Sequence, residues 1–322
     1  MTQMTGMMER ERAEAPLLPR SERPTVPTGR QMLFCVGAQK AGTTWLAENL
    51  SAHPECHFYP FDKEMHYFDV AYGKPSGMRG WKAKSIRKLL HSIETQDDAT
   101  FARRVRRIQG ELNLMKIYRA GHLGPRAWMY ELSRNAGKAR YLCDFTPDYS
   151  YSPPGAYKEM TEYVSPEGRR PKFIFILRDP VDRYWSFLRM MIRHRDIPQD
   201  RADKKLSEWM YHDLTQTDLS RRNHCDYRYT VGQLETHVPP EDVLFLFYET
   251  MFEQSVFDRV CSFLEIAPHT AQPDRRVHEG LSYPFPHKKW EKLRTALDDI
   301  YQFTFDRFGD RVPDHWRRTA YR

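Results

Sequence analysis

Four short apolar runs stand out along the chain: Met32–Val36, Ala139–Cys143, Lys172–Leu177 and Val243–Tyr248. None alternates strictly between apolar and polar positions, so each reads as a strand covered on both faces. Between them, apolar residues recur at helical spacing. Thr43–Ala52 forms one such segment and stops before His53-Pro54. Val181, Tyr184, Trp185, Leu188 and Ile192 share one face of a second helix. Trp290, Leu293, Leu297, Ile300, Tyr301, Phe305 and Phe308 make a third stripe, closed by Gly309. Strands alternating with helices predict an α/β fold, a central parallel β-sheet flanked by helices on both faces. Ligands of such folds bind beyond the carboxyl ends of the strands.

The 322 residues suit one large α/β domain or two small ones. Residues 1–30 carry four prolines, scattered Arg and Glu and little periodicity, and read as a disordered leader. Residues 31–316 read as one domain and 317–322 as a tail. The longest uninterrupted apolar run is six residues, against about 20 for a membrane-spanning helix. With no apolar signal segment near the start, the expected location is cytoplasmic. Basic residues exceed acidic ones by 50 to 43, which does not by itself imply nucleic acid. The excess is local, however: residues 79–107 hold nine Lys/Arg and three Asp/Glu. Such a patch suits a small anion or an anionic polymer, and equally a solvated helix face. Cys35, Cys56, Cys143, Cys225 and Cys261 are odd in number and irregularly spaced, and read as buried reduced thiols rather than a metal site.

After Val36 comes Gly37-Ala38-Gln39-Lys40-Ala41-Gly42-Thr43-Thr44, a strand, a glycine-bounded loop and a helix start. That order aims backbone N–H groups and a helix N-terminus at an anion. Lys40 adds charge, and Thr43 and Thr44 add hydroxyl donors. A nucleotide-hydrolysing P-loop has its lysine directly after the second glycine, where this chain has Thr43. Nor does the Lys172–Leu177 strand end in a metal-holding acid; it ends in Arg178. The cradle is kept and the Mg²⁺ handling is not, so no metal is expected. The fold reads as three-layer and P-loop-like.

Arg178-Asp179-Pro180 opens the second helix, with Asp179 as N-cap and Pro180 at the first helical position. Arg178 then lies at a strand's carboxyl end with a forked donor suited to phosphate. Ser186, two turns on, is placed to share that anion.

Together, Gln39-Lys40-Ala41-Gly42-Thr43-Thr44-Trp45-Leu46 and Phe175 to Ser186 resemble the sulfotransferases that use 3′-phosphoadenosine 5′-phosphosulfate (PAPS). The resemblance implies that the first segment, Gln39 to Trp45, grips the 5′-phosphosulfate, and that Arg178 and Ser186 grip the 3′-phosphate. Lys63-Glu64-Met65-His66-Tyr67-Phe68-Asp69 is similar to the glycan-type branch, which implies Glu64 as base and His66 as the neighbour that orients or assists it. Lys40 would then stabilise the leaving phosphate, with Lys63 assisting. Cys143-Asp144-Phe145-Thr146-Pro147-Asp148-Tyr149 looks like the family's segment near the acceptor and implies substrate contact by Asp148 or Tyr149. The family's C-terminal basic loop corresponds to His278-Glu279-Gly280-Leu281, which lacks the basic residues; Arg275 or Arg276 is placed to substitute.

The implied acceptor is a glycan or glycolipid, with Trp81, Trp128 and Tyr130 available to stack on sugar. A natural-product hydroxyl and a protein tyrosine stay open as acceptors. A P-loop kinase or NTPase and a nonenzymatic module are the competing classes. The first lacks its lysine and its acid, and the second would have lost Lys40, Glu64 or Arg178.

Overall fold

The computed structural model describes residues 24–73, 75–91, 97–120, 124–221, 223–272 and 285–318. Strands β1 (Gln31–Cys35), β2 (Cys56–Phe58), β3 (Tyr141–Asp144), β4 (Lys172–Leu177) and β5 (Val243–Phe247) form one parallel sheet in the order β2-β3-β1-β4-β5. Leu33 pairs with Cys143 on one side, and Phe34 pairs with Phe173 on the other. Successive side chains of a strand point to opposite faces. Yet Met32, Leu33, Phe34 and Cys35 are all fully buried, as are Phe173 to Leu177. Both faces are therefore covered, as the unbroken apolar runs predict. Each such side chain contributes about 1.5–3 kcal/mol by leaving water.

Four strands fall on the predicted runs, with Ala139 and Arg140 left outside β3. The fifth, β2, was not expected. Its Cys-His-Phe makes no apolar run, and it exists because Cys56 finds Tyr141 across the ladder.

The helices are α1 (Thr43–Ser51), α2 (Tyr67–Tyr72), α3 (Pro75–His91), α4 (Asp98–Arg119), α5 (Gly124–Ser133), α6 (Pro154–Thr161), α7 (Pro180–His194), α8 (Gln199–Gln216), α9 (Tyr227–His237), α10 (Gln254–Leu264), α11 (His287–Ala296) and α12 (Asp298–Phe308). The predicted stripe of α7 is buried throughout. The C-terminal stripe is two helices rather than one. The chain leaves helical geometry at Leu297 (φ −112°, ψ 9°), and Asp298 and Asp299 open α12, where carboxylates suit a helix N-terminus. No helix among the described residues is long and apolar enough to cross a membrane.

Residues 1–23 of the expected leader lie outside the described residues. Val26 is buried, and Arg30 donates to the carbonyls of Ala136 (3.3 Å) and Gly137 (2.7 Å), so folded structure begins before Gln31. At the other end Trp316 is fully buried and Arg318 pairs with Asp182 at 3.0 Å, tying the first tail residues to α7. All five cysteines are buried and free.

The strand order places the site. From β1 the chain crosses toward the β2 edge, and from β4 it crosses toward the β5 edge. The loops leaving these adjacent strands diverge and open a crevice at their carboxyl ends. The two anion motifs are those two loops.

Candidate active site

The loop after β1 stays stitched to β4. Ala38 donates to the Ile176 carbonyl at 2.9 Å and Ile176 to that of Gly37 at 2.8 Å. Lys40 (φ 68°) and Gly42 (φ 85°) then adopt left-handed backbone and turn the chain into α1. The left-handed backbone at Gly42 is what calls for glycine there; a Cβ would also come within 2.8 Å of Met251 Sδ, which would have to shift. Gly42 is the N-cap and no side chain caps α1. The first N–H groups of the helix therefore stay available to a ligand. Thr43 and Ala41 are buried, and Trp45 is anchored by its indole N–H on the Gln272 carbonyl at 3.0 Å.

Arg178 leaves β4 and reaches across the crevice. Its Nη1 donates to the Lys40 carbonyl at 2.8 Å, and its guanidinium lies 4.1 Å from the centre of the Tyr248 ring. Tyr227 fixes the Arg178 carbonyl from below with a 2.7 Å bond. The Arg178 Nε is buried without a hydrogen-bond partner, a donor that an anion would satisfy. Asp179 caps α7 as expected, accepting from the N–H groups of Val181 and Asp182. Ser186 is buried two turns on. Burial, aided by the guanidinium groups of Arg193, Arg178 and Arg189, lowers the Lys40 ammonium to about 8. Arg189 and Arg193 extend the row begun by Ser186 at helical spacing, a signal present in the sequence but not used there. These crowded cations repel one another, a cost that an anionic ligand relieves.

The third part is the Lys63–Asp69 segment, a loop that enters α2 at Tyr67, held to the end of β3 by the Phe145 N–H bond to the Lys63 carbonyl at 2.9 Å. Lys63 Nζ contacts one oxygen of Glu64, the Thr43 hydroxyl at 3.4 Å and the Phe145 carbonyl at 3.3 Å. The other Glu64 oxygen lies 3.2 Å from His66 Nε2. His66 Nδ1 lies 3.0 Å from Asp69 Oδ2 and 3.7 Å from Asp148 Oδ2. Burial acts to raise the Glu64 pKa, but Lys63 and His66 outweigh it and hold the carboxylate well below the usual range. For His66 burial acts downward, and the surrounding Asp69, Glu64 and Asp148 raise it well above an ordinary imidazole.

Beneath this loop Asp144 is fully buried and accepts from Thr146 Oγ1, Tyr149 OH, Trp128 Nε1 and the Met65 N–H. Burial still raises it to about 6 despite those donors. Its task is to hold the Glu64–His66 loop from behind. Tyr149, expected near substrate, is fully buried, with its hydroxyl shared between Asp144 and the Tyr67 N–H. Asp148 faces His66 and His224 rather than open solvent. Trp128 is also fully buried and cannot stack on a sugar, whereas Trp81 and Tyr130 are 45% and 63% exposed. His278-Glu279-Gly280-Leu281, Arg275 and Arg276 lie outside the described residues. His224, on a single turn at Asn223–Cys225, carries no motif and was not anticipated.

Fold and site define a class first: an α/β protein with a phosphate-loop geometry at the switch point of its parallel sheet. The family model for the sulfotransferase family matches residues 32–270, and the chain belongs to that family. It is a sulfotransferase. A crystal structure of a sulfotransferase from Alicyclobacillus acidocaldarius shares the fold with a TM-score of 0.51 at 19% identity, covering 90% of this chain and 99% of that one. The sulfotransferase domain of the Synechococcus PCC 7002 olefin synthase aligns at 15% identity and a TM-score of 0.40, over 86% of this chain and 97% of that one. One from the curacin biosynthetic pathway aligns at 14% and 0.41, over 84% and 97%. No curated protein sequence matches.

Proposed function

We propose that this sulfotransferase moves the sulfuryl group of PAPS to a hydroxyl or amine of a glycan or glycolipid, with Glu64 as general base. One observation carries the reading. Lys63 bridges the Thr43 hydroxyl of the phosphate cradle and the Glu64 carboxylate, so a base stands one side chain away from the anion site. The uncapped start of α1, the unpartnered Arg178 Nε and the crowded cations around Lys40 fit a donor bearing two phosphates.

When bound, that donor supplies an activated sulfuryl group. The protein's own part is fourfold. The α1 N-terminus and Lys40 hold the 5′ side and its growing negative charge, as preorganised electrostatics require. Arg178 and Ser186 hold the 3′-phosphate. Glu64 accepts the acceptor's proton, a service typically worth about 10²–10⁴-fold. His66, donating to Glu64, keeps the carboxylate aimed. The reading needs no metal, because Arg178 follows β4 where a metal-dependent P-loop enzyme would carry an acid. Exposed Trp81, with the basic residues of α3 and α4, supports an acceptor with a flat face and negative charge.

The test is thermal unfolding with adenosine 3′,5′-bisphosphate beside ATP plus Mg²⁺. A ligand selective for the folded state raises the melting temperature. The expected result is a rise with the bisphosphate that chelator does not remove. A rise only with ATP and Mg²⁺ would sink the donor assignment and favour a kinase. An acceptor panel of sugars, natural-product alcohols and tyrosine peptides then decides the acceptor class.

A further inference from the structure

A row of acids and imidazoles continues past the base. The free oxygen of Asp148, Oδ1, lies 3.0 Å from His224 Nε2. His224 Nδ1 lies 3.0 Å from the Ser150 hydroxyl, and its ring meets Tyr151 edge-on at 4.8 Å. The His66, Asp148 and His224 side chains are only 6%, 17% and 10% exposed.

The arrangement assigns the protons. Both nitrogens of His66 face carboxylate oxygens, so both are donors and the ring is an imidazolium. His224 Nε2 faces the Asp148 carboxylate and donates to it, and its Nδ1 lies against the Ser150 hydroxyl. At His66 Nδ1, however, two carboxylates compete for one N–H. Asp69 takes it at 3.0 Å, and Asp148 stands off at 3.7 Å. Something must occupy Asp148, and His224 does.

We propose that His224 is a positioning residue for the catalytic pair: by engaging Asp148 it leaves the His66 Nδ1–H to Asp69, which keeps His66 Nε2–H aimed at Glu64. This rests on Glu64 being the base. Without His224 the Asp148 carboxylate loses its own donor in a buried site, a costly state. It relieves that cost by accepting the His66 Nδ1–H in place of Asp69, and the imidazolium, still charged, swings off Glu64. The groups bearing on His66 come from several elements. Lys63 and Glu64 lie on its own loop and Asp69 on α2. Asp148 lies on the Pro147–Tyr151 turn. Tyr118 on α4 acts through the Met65 carbonyl, and Asp144 acts through the Met65 N–H.

The experiment compares wild type, His224→Ala, His224→Gln and Asp148→Asn, each labelled with ¹⁵N-histidine. Gln presents a side-chain N–H near the Nε2 position but cannot titrate. The first readout is the pH at which His66 loses its second proton. The second is turnover of PAPS beside affinity for adenosine 3′,5′-bisphosphate. His224→Ala is expected to move the His66 titration to higher pH, because the freed Asp148 charge falls on His66. It should also lower turnover about tenfold, a change of about 1.4 kcal/mol in the barrier, with bisphosphate affinity held within about twofold. His224→Gln is expected to return both readouts most of the way to wild type. Asp148→Asn removes a negative charge and should move the titration to lower pH. It supplies the decisive readout should His224→Ala fail to fold. A folded His224→Ala with His66 titration and turnover unmoved would overturn the proposal. So would a folded His224→Gln no better than Ala, or an unmoved titration in Asp148→Asn. Failure of the donor reading looks different: wild type would not bind the bisphosphate at all.

Discussion

Glu64, the proposed base, carries two cationic partners. A carboxylate gripped by Lys63 and His66 is a weak base while both hold it. In the proposed mechanism it gains strength as an acceptor hydroxyl or a donor anion competes for those cations, which would tie proton removal to a filled site. Glu64→Gln keeps the shape and deletes the proton acceptor. Transfer should fall by at least about 100-fold while bisphosphate affinity measured by calorimetry stays within about threefold. Survival of most activity would remove Glu64 from the base role. Lys40 gives the pH dependence. Its ammonium is lowered to about 8 by burial and the arginines around it, so it is charged below that pH and neutral above it. Nucleotide affinity should therefore hold up to about pH 8 and decline as pH rises through it. In Lys40→Met that decline should disappear, together with much of the affinity. Lys40 and its flanking glycines stand out along the chain as a candidate anion loop because they are contiguous. His224 does not, because its meaning is a contact with Asp148 from a distant turn.

At the scale of elements, α4 is the support on which the Lys63–His66 loop rests. Tyr118 donates to the Met65 carbonyl at 2.8 Å, and Gly110 is where α4 comes down on Phe61. A Cβ at Gly110 would meet Phe61 Cβ at 2.3 Å and Cγ at 2.5 Å, contacts that real side chains do not make. Gly110→Ala favours the helix by about 1 kcal/mol in propensity. Even so, it should destabilise the protein, since overpacking costs about 1–3 kcal/mol. Chemical denaturation would show the loss as a lower midpoint, and an unchanged midpoint would mean that α4 can shift without disturbing Phe61. Gly110 looks unremarkable in sequence, as a lone glycine inside a helical run. The break at Leu297 and the strand β2 escaped sequence reading similarly. A hydrophobic stripe runs on past a change of helix direction, and three residues can form a strand only when a neighbour supplies the ladder.

For the molecule as a whole, buried acids at the site make stability depend on pH. Burial raises Asp144 to about 6, and burial with the adjacent Asp182 raises Asp179. The unfolded chain gives up these protons at a lower pH than the folded one. Their contribution to stability therefore falls as pH rises from the usual carboxylate range toward the raised values, and the full cost stands above them. Glu64 and Asp148 are held low, so their contribution is present above the usual range and is lost on acidification. Asp179→Asn isolates one term, since Asn is also a good N-cap. The melting temperature of that variant relative to wild type should be more favourable at pH 7.5 than at pH 4.5. The reverse order would show that Asp179 is stabilised in its charged form by Arg318.

The chain alone determined the alternation of strand and helix, the glycine-bounded loop after β1, the arginine loop after β4 and the candidate for the base. Each of these is written in local periodicity or in contiguous residues, and local physics suffices to read it. Only the tertiary structure decided which strands are neighbours, and so that the β1 and β4 loops meet at one crevice. It also decided that Trp128 and Tyr149 are fully buried, and that Asp148 is shared between two histidines. Those outcomes depend on burial and on pairs far apart in the chain, and both arise when the sheet closes over its core.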